Sequence, residues 1–465
     1  MNMINVRRLT VMTFLGAGML PGISAQGSLL QADTLQEMRI PTQWDLQSCI
    51  DYAKEQNITI RKNRITAAGT QIDVKTAKAA LFPSLSFSTG HQVVNRPYQE
   101  TSSRVSGSEI ISSNSKTSYN GNYGLNASWT LYNGNKRLKT IQQEKLNNQI
   151  AELDMATSEN NIQESIAQVY IQILYAAESV RVNENTLQVS IAQRDRGQEL
   201  LNAGSIAKSD LAQLEAQVST DRYQLVTAQA TLEDYKLQLK QLLELDGENE
   251  MNIFLPALSD ENVLAPLPAK REVYISALGL RPEIEASKLN VEASELGINI
   301  AKSSYFPTIS LSAGIGTNHT SGSDFTFGEQ VKNGWNNSIG LSVSVPIFNN
   351  RQTKSAVQKA KLQYETSMLS LLDEQKALYK TIETLWLDAN SAQQRYAAAN
   401  EKLKSTKISY ELTSEQFNLG MKNTVELLTE KNNLLQAQQE QLQAKYMAIL
   451  NTQLLKFYQG DQLAL

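Results

Sequence analysis

The chain has 465 residues, of which 41% are hydrophobic and 19% are charged, with 47 acidic against 43 basic side chains. This composition and the mean hydropathy of −0.34 disfavour a deep globular core: either the protein is elongated, or much of its helix surface stays wet on both sides. No cluster of basic residues suggests a nucleic-acid partner, and the single cysteine, Cys49, excludes a disulfide within the chain.

The N-terminal segment predicts a secretory signal peptide at residues 1–25. A pair of arginines precedes an apolar run from Leu9 to Leu20, and a small residue, Ala25, stands at the expected cleavage site. A retained anchor helix is the alternative, but the run is shorter than the ~20 apolar residues that span a bilayer. No later stretch is long enough to cross a membrane as a helix. Because of the signal peptide, we expect the protein to leave the cytoplasm.

The remainder of the chain is written twice. Three pairs of segments match: residues 77–90 with 301–314, 129–137 with 345–353, and 200–211 with 416–427. Internal repetition of this kind predicts two copies of one structural unit. We expect a first repeat at 26–255, a linker segment at 246–280 and a second repeat at 281–465.

Each repeat contains two segments that alternate between apolar residues and Ser, Gly or Asn, which is typical of β-strands. The predicted strands are 84–94 and 120–132 in the first repeat, and 308–318 and 337–348 in the second. Half-buried hairpins packed on a helix would alternate in the same way. A membrane β-barrel is favoured because its strands need about 9–11 residues and carry aromatics at their ends. The aromatics at one end of the predicted strands are Phe82, Tyr132, Phe306 and Phe348.

Four strands cannot close a barrel, and an open sheet edge in lipid leaves unpaired backbone groups. Subunits are therefore expected to share one barrel. A dimer would supply eight strands, whose side chains fill the interior, whereas a trimer would supply twelve and leave a pore. The apolar face would then meet lipid and the serine face would meet water.

Two very long helices are predicted at 135–203 and 351–419, each about 100 Å long at 1.5 Å per residue. Their return segments come in two pieces, with 209–245 expected to continue into 281–305 and 425–459 into 45–81. The predicted fold class is therefore mainly α with a membrane β-barrel: in a trimer, a 12-stranded barrel above a 12-helix tube. A filamentous coiled coil would account for the helices but not for the strands.

Over residues 42–460 the chain resembles the TolC-like outer-membrane efflux protein family. The resemblance rests on the two "FP" junctions, the junctions "LYNGN" and "IFNNR", and the turns "NAGSIAKSD" and "NLGMKNTVE". It implies an internally duplicated channel-tunnel, a homotrimer in the outer membrane of a Gram-negative bacterium that reaches into the periplasm. There it would join a periplasmic adaptor and an inner-membrane transporter as the exit duct of a tripartite efflux pump, with 246–280 as a belt around the tube.

The two glycine turns would be the periplasmic tips, since glycine suits the left-handed end of a helix at a sharp reversal. By resemblance, these tips contact the adaptor; they comprise Gly204, Ser205 and Ile206 in the first turn and Gly420, Met421 and Lys422 in the second.

The resemblance also implies a periplasmic gate near the tips. It places Glu426 in the narrow entrance, where three copies would form a carboxylate ring, and pairs Lys422 with Asp210 or Ser209 of a neighbouring hairpin. The sequence departs from the family twice. Phe417 stands where a hydroxyl-bearing tyrosine is frequent, so one latch bond is lost, and Thr429 stands where a second acidic ring is often found.

No catalytic chemistry is evident in the sequence. His91, His319 and Cys49 are too scattered for a zinc-like set, and no nucleophile elbow, phosphate-binding loop or dinucleotide fingerprint occurs, so we expect no enzyme and no cofactor. Alternatives to a drug or metabolite duct are type I protein secretion, heavy-metal efflux, and, from another class, a surface adhesin or structural coiled coil. An adhesin would need larger loops than those expected at 96–118 and 319–336.

Overall fold

The computed structural model describes residues 42–98, 102–106, 109–113, 116–246, 251–256, 263–321, 323 and 325–463. The predicted signal peptide at 1–25 lies outside these residues. From Gln43 onward the chain forms one compact unit. Its helices are α1 (Leu46–Gln56), α2 (Ile58–Ala79), α3 (Lys136–Asn202), α4 (Lys208–Leu242), α5 (Lys270–Leu280), α6 (Pro282–Ser303), α7 (Phe327–Asn333), α8 (Gln352–Asn418) and α9 (Thr424–Gln459). Its strands are β1 (Ser84–Asn95), β2 (Ser102–Ser106), β3 (Glu109–Ser113), β4 (Thr117–Asn133), β5 (Thr308–Thr320) and β6 (Asn336–Ser344).

The two long helices, α3 and α8, have 67 residues each and begin in the same way. Each follows a non-glycine residue in the left-handed region, Asn135 at φ 62° and Arg351 at φ 64°. At about 1.5 Å per residue each helix extends for roughly 100 Å. The same local geometry at both strand-to-helix junctions is consistent with a duplicated unit.

One antiparallel sheet runs in the order β1–β4–β5–β6, with β1 and β6 at its edges. The register places the predicted apolar residues opposite one another, as in the rows Phe87–Leu125–Ile315 and Leu311–Leu341. Serine, glycine and asparagine pair in the same way on the other face. A β-bulge between Thr130 and Tyr132 interrupts the β4–β5 register. The alternation seen in the sequence therefore becomes one apolar and one polar face across all four strands.

The predicted end of the fourth strand was wrong. The sequence predicted a strand through residue 348, but β6 ends at Ser344. Pro346 follows two residues later and has no backbone N–H to donate to a ladder. The apolar side chains from Val345 to Phe348 therefore belong to the connection into α8.

The region of the two predicted loops contains more structure than expected. Strands β2 and β3 pair with each other as a two-stranded sheet within 96–118. Helix α7 lies within 319–336 and begins at a capping box in which Thr326 and Glu329 bond reciprocally to each other's backbone N–H.

The predicted pairing of the shorter helices was also wrong. Asn57 separates α1 from α2, and its side chain donates to the carbonyl of Leu242 at 3.0 Å. The start of α2 therefore lies beside the C-terminal end of α4. At the end of α9, the ring of Tyr458 lies 4.1 Å from the guanidinium of Arg281, the N-cap of α6. The end-to-end pairs are therefore α4 with α2 and α9 with α6.

The main core lies midway along the long helices, where α1 and the linker meet α3 and α9. Trp44 is buried and bonds through its backbone to Asn252 and Phe254 of the linker, at 2.8 Å each. The hydroxyl of Tyr170, from α3, donates to the carbonyl of Phe254 at 2.6 Å. Trp44, helix α1 and part of the predicted belt thus pack on the middle of the long helices. Among the described residues, no helix has both the length and the hydropathy to cross a bilayer.

Candidate functional site

The turns that join the long helices to their return helices are built alike. Gly204 and Gly420 have φ of 75° and 74°, a left-handed conformation that glycine adopts without steric cost. After the first glycine, the N–H of Ser205 donates to the carbonyl of Leu200 at 2.8 Å, and after the second that of Met421 donates to Gln416 at 2.8 Å. These six-to-one bonds define Schellman caps, so the predicted left-handed helix ends are confirmed.

Both return helices, α4 and α9, carry an acidic residue predicted to lie near the gate at their third position. The backbone N–H of Ala207 donates to Asp210 at 3.0 Å, and that of Asn423 donates to Glu426 at 3.1 Å. Asn423 also accepts from the N–H of Glu426 at 2.9 Å, which completes a capping box at the start of α9. Each carboxylate therefore stabilises the N-terminus of its own helix, where the helix dipole also favours negative charge.

Lys422 forms an ion pair with Glu426, one turn further along the chain. The ammonium of Lys422 and the N–H of Asn423 hold the pKa of the Glu426 carboxyl below its usual value. Within the described part of one chain, Lys422 forms no hydrogen bond with Asp210 or Ser209, and Ser209 is exposed. The predicted latch between neighbouring hairpins therefore stays a prediction.

The tip residues predicted to contact an adaptor lie on the surface, except that Ile206 and Lys422 are half-buried. Ser205 is exposed, and Met421 is 71% exposed. Adaptor contact through these residues also stays a prediction. Thr429, which stands where the family often has a second acidic ring, is exposed and donates its hydroxyl to the carbonyl of Val425 at 2.8 Å.

Phe417 does not point into open solvent near the gate. It is buried against Leu214 of α4 and Leu427 of α9. In this apolar cluster the first hairpin of the chain, α3 with α4, meets the second, α8 with α9. Close by, the amide of Gln193 on α3 donates to the hydroxyl of Tyr410 on α8 at 2.8 Å. The phenylalanine that removes one latch bond therefore supplies an apolar contact between the two hairpins.

A buried polar cluster near the tips was missed in the sequence. The ammonium of Lys431 on α9 donates to Asp221 on α4 and to Ser190 on α3, and Ser190 donates to Asp221. The side chains of Lys431 and Asp221 are only 3% and 1% exposed. The amide of Gln217 donates to the second oxygen of Asp221 at 2.9 Å. Burial lowers the pKa of Lys431, and its partner carboxylate opposes that shift.

The spacing of apolar residues along α9 and α4 contained a signal for this cluster. Lys431 lies four residues after Leu427 and four before Leu435, both buried, so it occupies a core position of its helix. Asp221 continues the buried series of Leu214 and Val218 in the same way. A charge at a core position of a coiled coil needs a buried partner.

The apolar face of the sheet is open in a single chain. Side chains on both edge strands are largely exposed, including Leu85 at 70% and Ile339 at 84%. The predicted aromatics, at the sheet end that joins the helices, are Phe82 and Phe348, both strongly exposed, with Phe306, which is exposed, and Tyr132, which is half-buried.

The two histidines come closer than the sequence suggested. His91 and His319 both lie opposite Gly121, on the strands that flank β4. A side chain at Gly121 would lie 3.2 Å from Nδ1 of His91 and 3.4 Å from Nδ1 of His319. Tyr119 stacks on His91 and meets His319 edge-on, which forms an aromatic cluster at the sheet end away from the helices. In the described part of the chain, no group of three or more His, Cys, Asp or Glu residues could hold a metal ion.

Comparison with known proteins gives a family-wide match. The sequence profile of the family described as Outer membrane efflux protein matches residues 49–244 and 273–460. The outer membrane protein TolC of Escherichia coli is 22% identical over 92% of this chain and 83% of its own length. The outer membrane efflux protein BepC of Brucella suis is 24% identical over 63% of this chain, and the match spans 61% of BepC.

Solved structures of outer-membrane channels share the fold. CusC matches with a TM-score of 0.76 at 19% identity, covering 90% of this chain and 92% of the CusC chain. VceC of Vibrio cholerae matches with a TM-score of 0.73 at 16% identity, covering 90% of this chain and 97% of the other.

The relatives are outer-membrane channels without enzymatic activity, so the predicted outer-membrane location and the absence of an enzymatic role are confirmed. The family match also sets aside the adhesin alternative. The chain belongs to the outer membrane efflux protein family.

Proposed function

We propose that the protein is the exit duct of a tripartite efflux pump for drugs, metabolites or other small molecules. The observation that carries this proposal is the four-stranded sheet, which exposes one apolar face and has two edges that pair with no other strand of the described chain. A bilayer would cover the apolar face, but it offers no partner for an open edge. Other copies of the chain are the natural partners for both edges.

Three copies fit this requirement best. Four strands from each of two chains would give a barrel of about eight strands, which side chains fill, whereas three chains give about twelve and leave a channel. The polar face, lined by serine, glycine and asparagine as in the row Ser86–Asn126–Gly314, suits a water-filled lumen. The long helices would carry the same lumen for roughly 100 Å into the periplasm.

The narrow end of the duct would lie near the starts of the return helices. Three copies of Glu426 would form a carboxylate ring there, and in each chain Lys422 and the N–H of Asn423 hold the pKa of this carboxyl below its usual value. Such a ring favours cations. Lys422 partly neutralises each carboxylate in the single chain, so a change of partner for Lys422 would alter the charge of the entrance.

The exposed tip residues are the proposed contact with a periplasmic adaptor, which would connect the duct to an inner-membrane transporter. Ser205 and Met421 lie at corresponding places in the two turns, so a trimer would present about six similar tips. Relatives bear names from both drug export and protein secretion, as in toxin and drug export protein A and alkaline protease secretion protein AprF. These names support a duct more strongly than any one cargo.

Planar-bilayer recording of the purified protein tests this function. We expect the wild type to show small conductance steps that are selective for cations. Lys422→Ala should enlarge them, and Glu426→Gln should remove most of the cation preference. Glutamine keeps the capping bond at this position while removing the charge, so the start of α9 stays intact.

Glu411→Gln is the matched control, because it removes a carboxylate that is exposed on α8 away from the turn. It should behave as the wild type does. Well-folded protein that never conducts would rule out the duct. Unchanged selectivity in Glu426→Gln would rule out the carboxylate ring while leaving the duct in place.

A further inference from the structure

Near the tips, three helices meet at one buried ion pair. Lys431 of α9 contacts Asp221 of α4 and Ser190 of α3, and all three residues are buried. Helices α3 and α4 form the first hairpin of the chain, whereas α9 is the return arm of the second. This cluster, Ser190–Asp221–Lys431, is therefore a polar link between the two hairpins of one chain.

A neighbouring side chain, that of Gln217, donates a further hydrogen bond to Asp221 while the ion pair of Asp221 with Lys431 stays in place. Gln217 donates to Asp221 at 2.9 Å, and its amide also lies 3.4 Å from the side-chain oxygen of Asn432, the residue after Lys431. A buried pair adds little stability compared with apolar residues of similar size, although removing one partner is strongly destabilising. The cluster is therefore better explained by the geometry it enforces than by the stability it adds.

That geometry is directional, unlike that of the neighbouring apolar contact. Leu214, Phe417 and Leu427 pack where the hairpins meet, but apolar burial depends on area and tolerates small sliding. An ammonium shared between a carboxylate and a hydroxyl is satisfied in only one register. The ion pair therefore fixes how far α9 slides and turns against the first hairpin.

We propose that Lys431 and Asp221 are positioning residues of the gate. Lys431 follows Glu426 by five residues on the same helix, a rise of about 7.5 Å, so the register of Lys431 sets the place of the Glu426 carboxylate. This inference rests on the proposed duct for its role in gating. The positional claim itself concerns one chain and can be measured without ion conduction.

Spin labels at Ala212→Cys on α4 and Val425→Cys on α9 report this position. Both sites are exposed, whereas the native Cys49 is 0% exposed and burial raises its pKa to about 12, so it should not be labelled. Labelled chains diluted into unlabelled assemblies give distances within one chain. The wild type should show one narrow distance, and Lys431→Met should broaden it roughly twofold, because Asp221 is left without its charged partner.

A double variant separates positioning from simple stability. Lys431→Met with Asp221→Leu leaves no unpaired charge, so the hydrogen exchange of residues 424–431 should return to the wild-type rate. The distance distribution should stay broad, because no directional contact remains. Asp221→Asn, which keeps the side-chain shape, should also broaden the distance and serves if Lys431→Met does not fold.

Lys402→Met is the matched control. Lys402 pairs with Glu440 at 2.7 Å between α8 and α9, but both side chains are more than 40% exposed, and the substitution should leave the distance narrow. A narrow distance in Lys431→Met and Asp221→Asn, or its recovery in the double variant, would overturn the positioning role. A wild type that fails to conduct but responds as described would remove the duct and keep the positional link.

Discussion

Phe417 lies where the two hairpins of the chain meet, and its environment explains why an apolar ring suits this position. It is 3% exposed and packs against Leu214 and Leu427. The sequence indicated that a hydroxyl was missing here but not what had replaced its bond. The bond is replaced by an apolar contact of α8 with α4 and α9. The sequence does not reveal this contact because α4 lies far from α8 along the chain.

Replacing Phe417 should loosen the tip. Phe417→Ala removes a buried ring and is expected to lower the free energy of local opening by about 3–5 kcal/mol. Hydrogen exchange of amides on both sides of the cluster measures this opening. Leu419→Ala, two residues away and 75% exposed, is the control and should change exchange little. Equal effects of the two substitutions would contradict the buried contact.

Glu426 gives the start of α9 a dependence on pH. Its pKa is lowered by Lys422 and by the N–H of Asn423 in the folded protein, so its contribution to stability is complete above the unfolded pKa of about 4.3. The contribution is lost as the pH falls through the lower, folded pKa. Between pH 6 and pH 3, the hydrogen-exchange protection factors of residues 424–428 should fall more in the wild type than in Glu426→Gln. An equal fall in both proteins would show that the carboxylate has no such role.

Single residues differ in how far the sequence predicts them. The pattern Asn423-x-x-Glu426 is a local capping signal, and the structure places both residues as such a signal implies. Lys431 occupies a core position, but its partner Asp221 is 210 residues away. A local pattern can reveal that a buried charge needs a partner; it cannot say which residue the partner is.

At the level of whole elements, the internal repeat predicted the long helices and most of each strand. It failed for the end-to-end pairing of the shorter helices for a simple reason. Helices α4 and α9 have 35 and 36 residues, and α2 and α6 have 22 each, so exchanging α2 and α6 leaves the length of each pair unchanged. Contacts such as that of Asn57 with Leu242 decide the pairing, and they depend on tertiary structure.

The turn glycines offer a test at this scale. Gly420→Ala should destabilise the tip by about 1–2 kcal/mol, because an L-residue is strained at a φ of 74°. Gly69→Ala should instead stabilise its region by about 0.5–1 kcal/mol, because Gly69 lies inside α2 with no atom within 4 Å of an added Cβ. Local opening energies from hydrogen exchange distinguish the two. Substitutions that shift stability in the same direction would contradict the left-handed cap.

For the whole molecule, the decisive property is the contrast between the two faces of one open sheet. The sequence predicted this contrast from period-two alternation, and the register of β1, β4, β5 and β6 confirms it. The number of copies that complete the sheet cannot be read from one chain. It follows from the closure of strands between chains, a property of the assembly.

Cross-linking between β1 and β6 of neighbouring copies tests the central claim most directly. Ser86 and Ser342 lie on the polar face of the two edge strands, and one variant combines Ser86→Cys with Ser342→Cys. The native Cys49 is buried and should not react. A short bifunctional thiol reagent applied to the protein in outer membranes should give denatured bands of one, two and three chains and none larger. A variant with only one of the two introduced cysteines should give no three-chain band. A ladder that stops at two chains, or continues past three, would contradict a duct built from three copies.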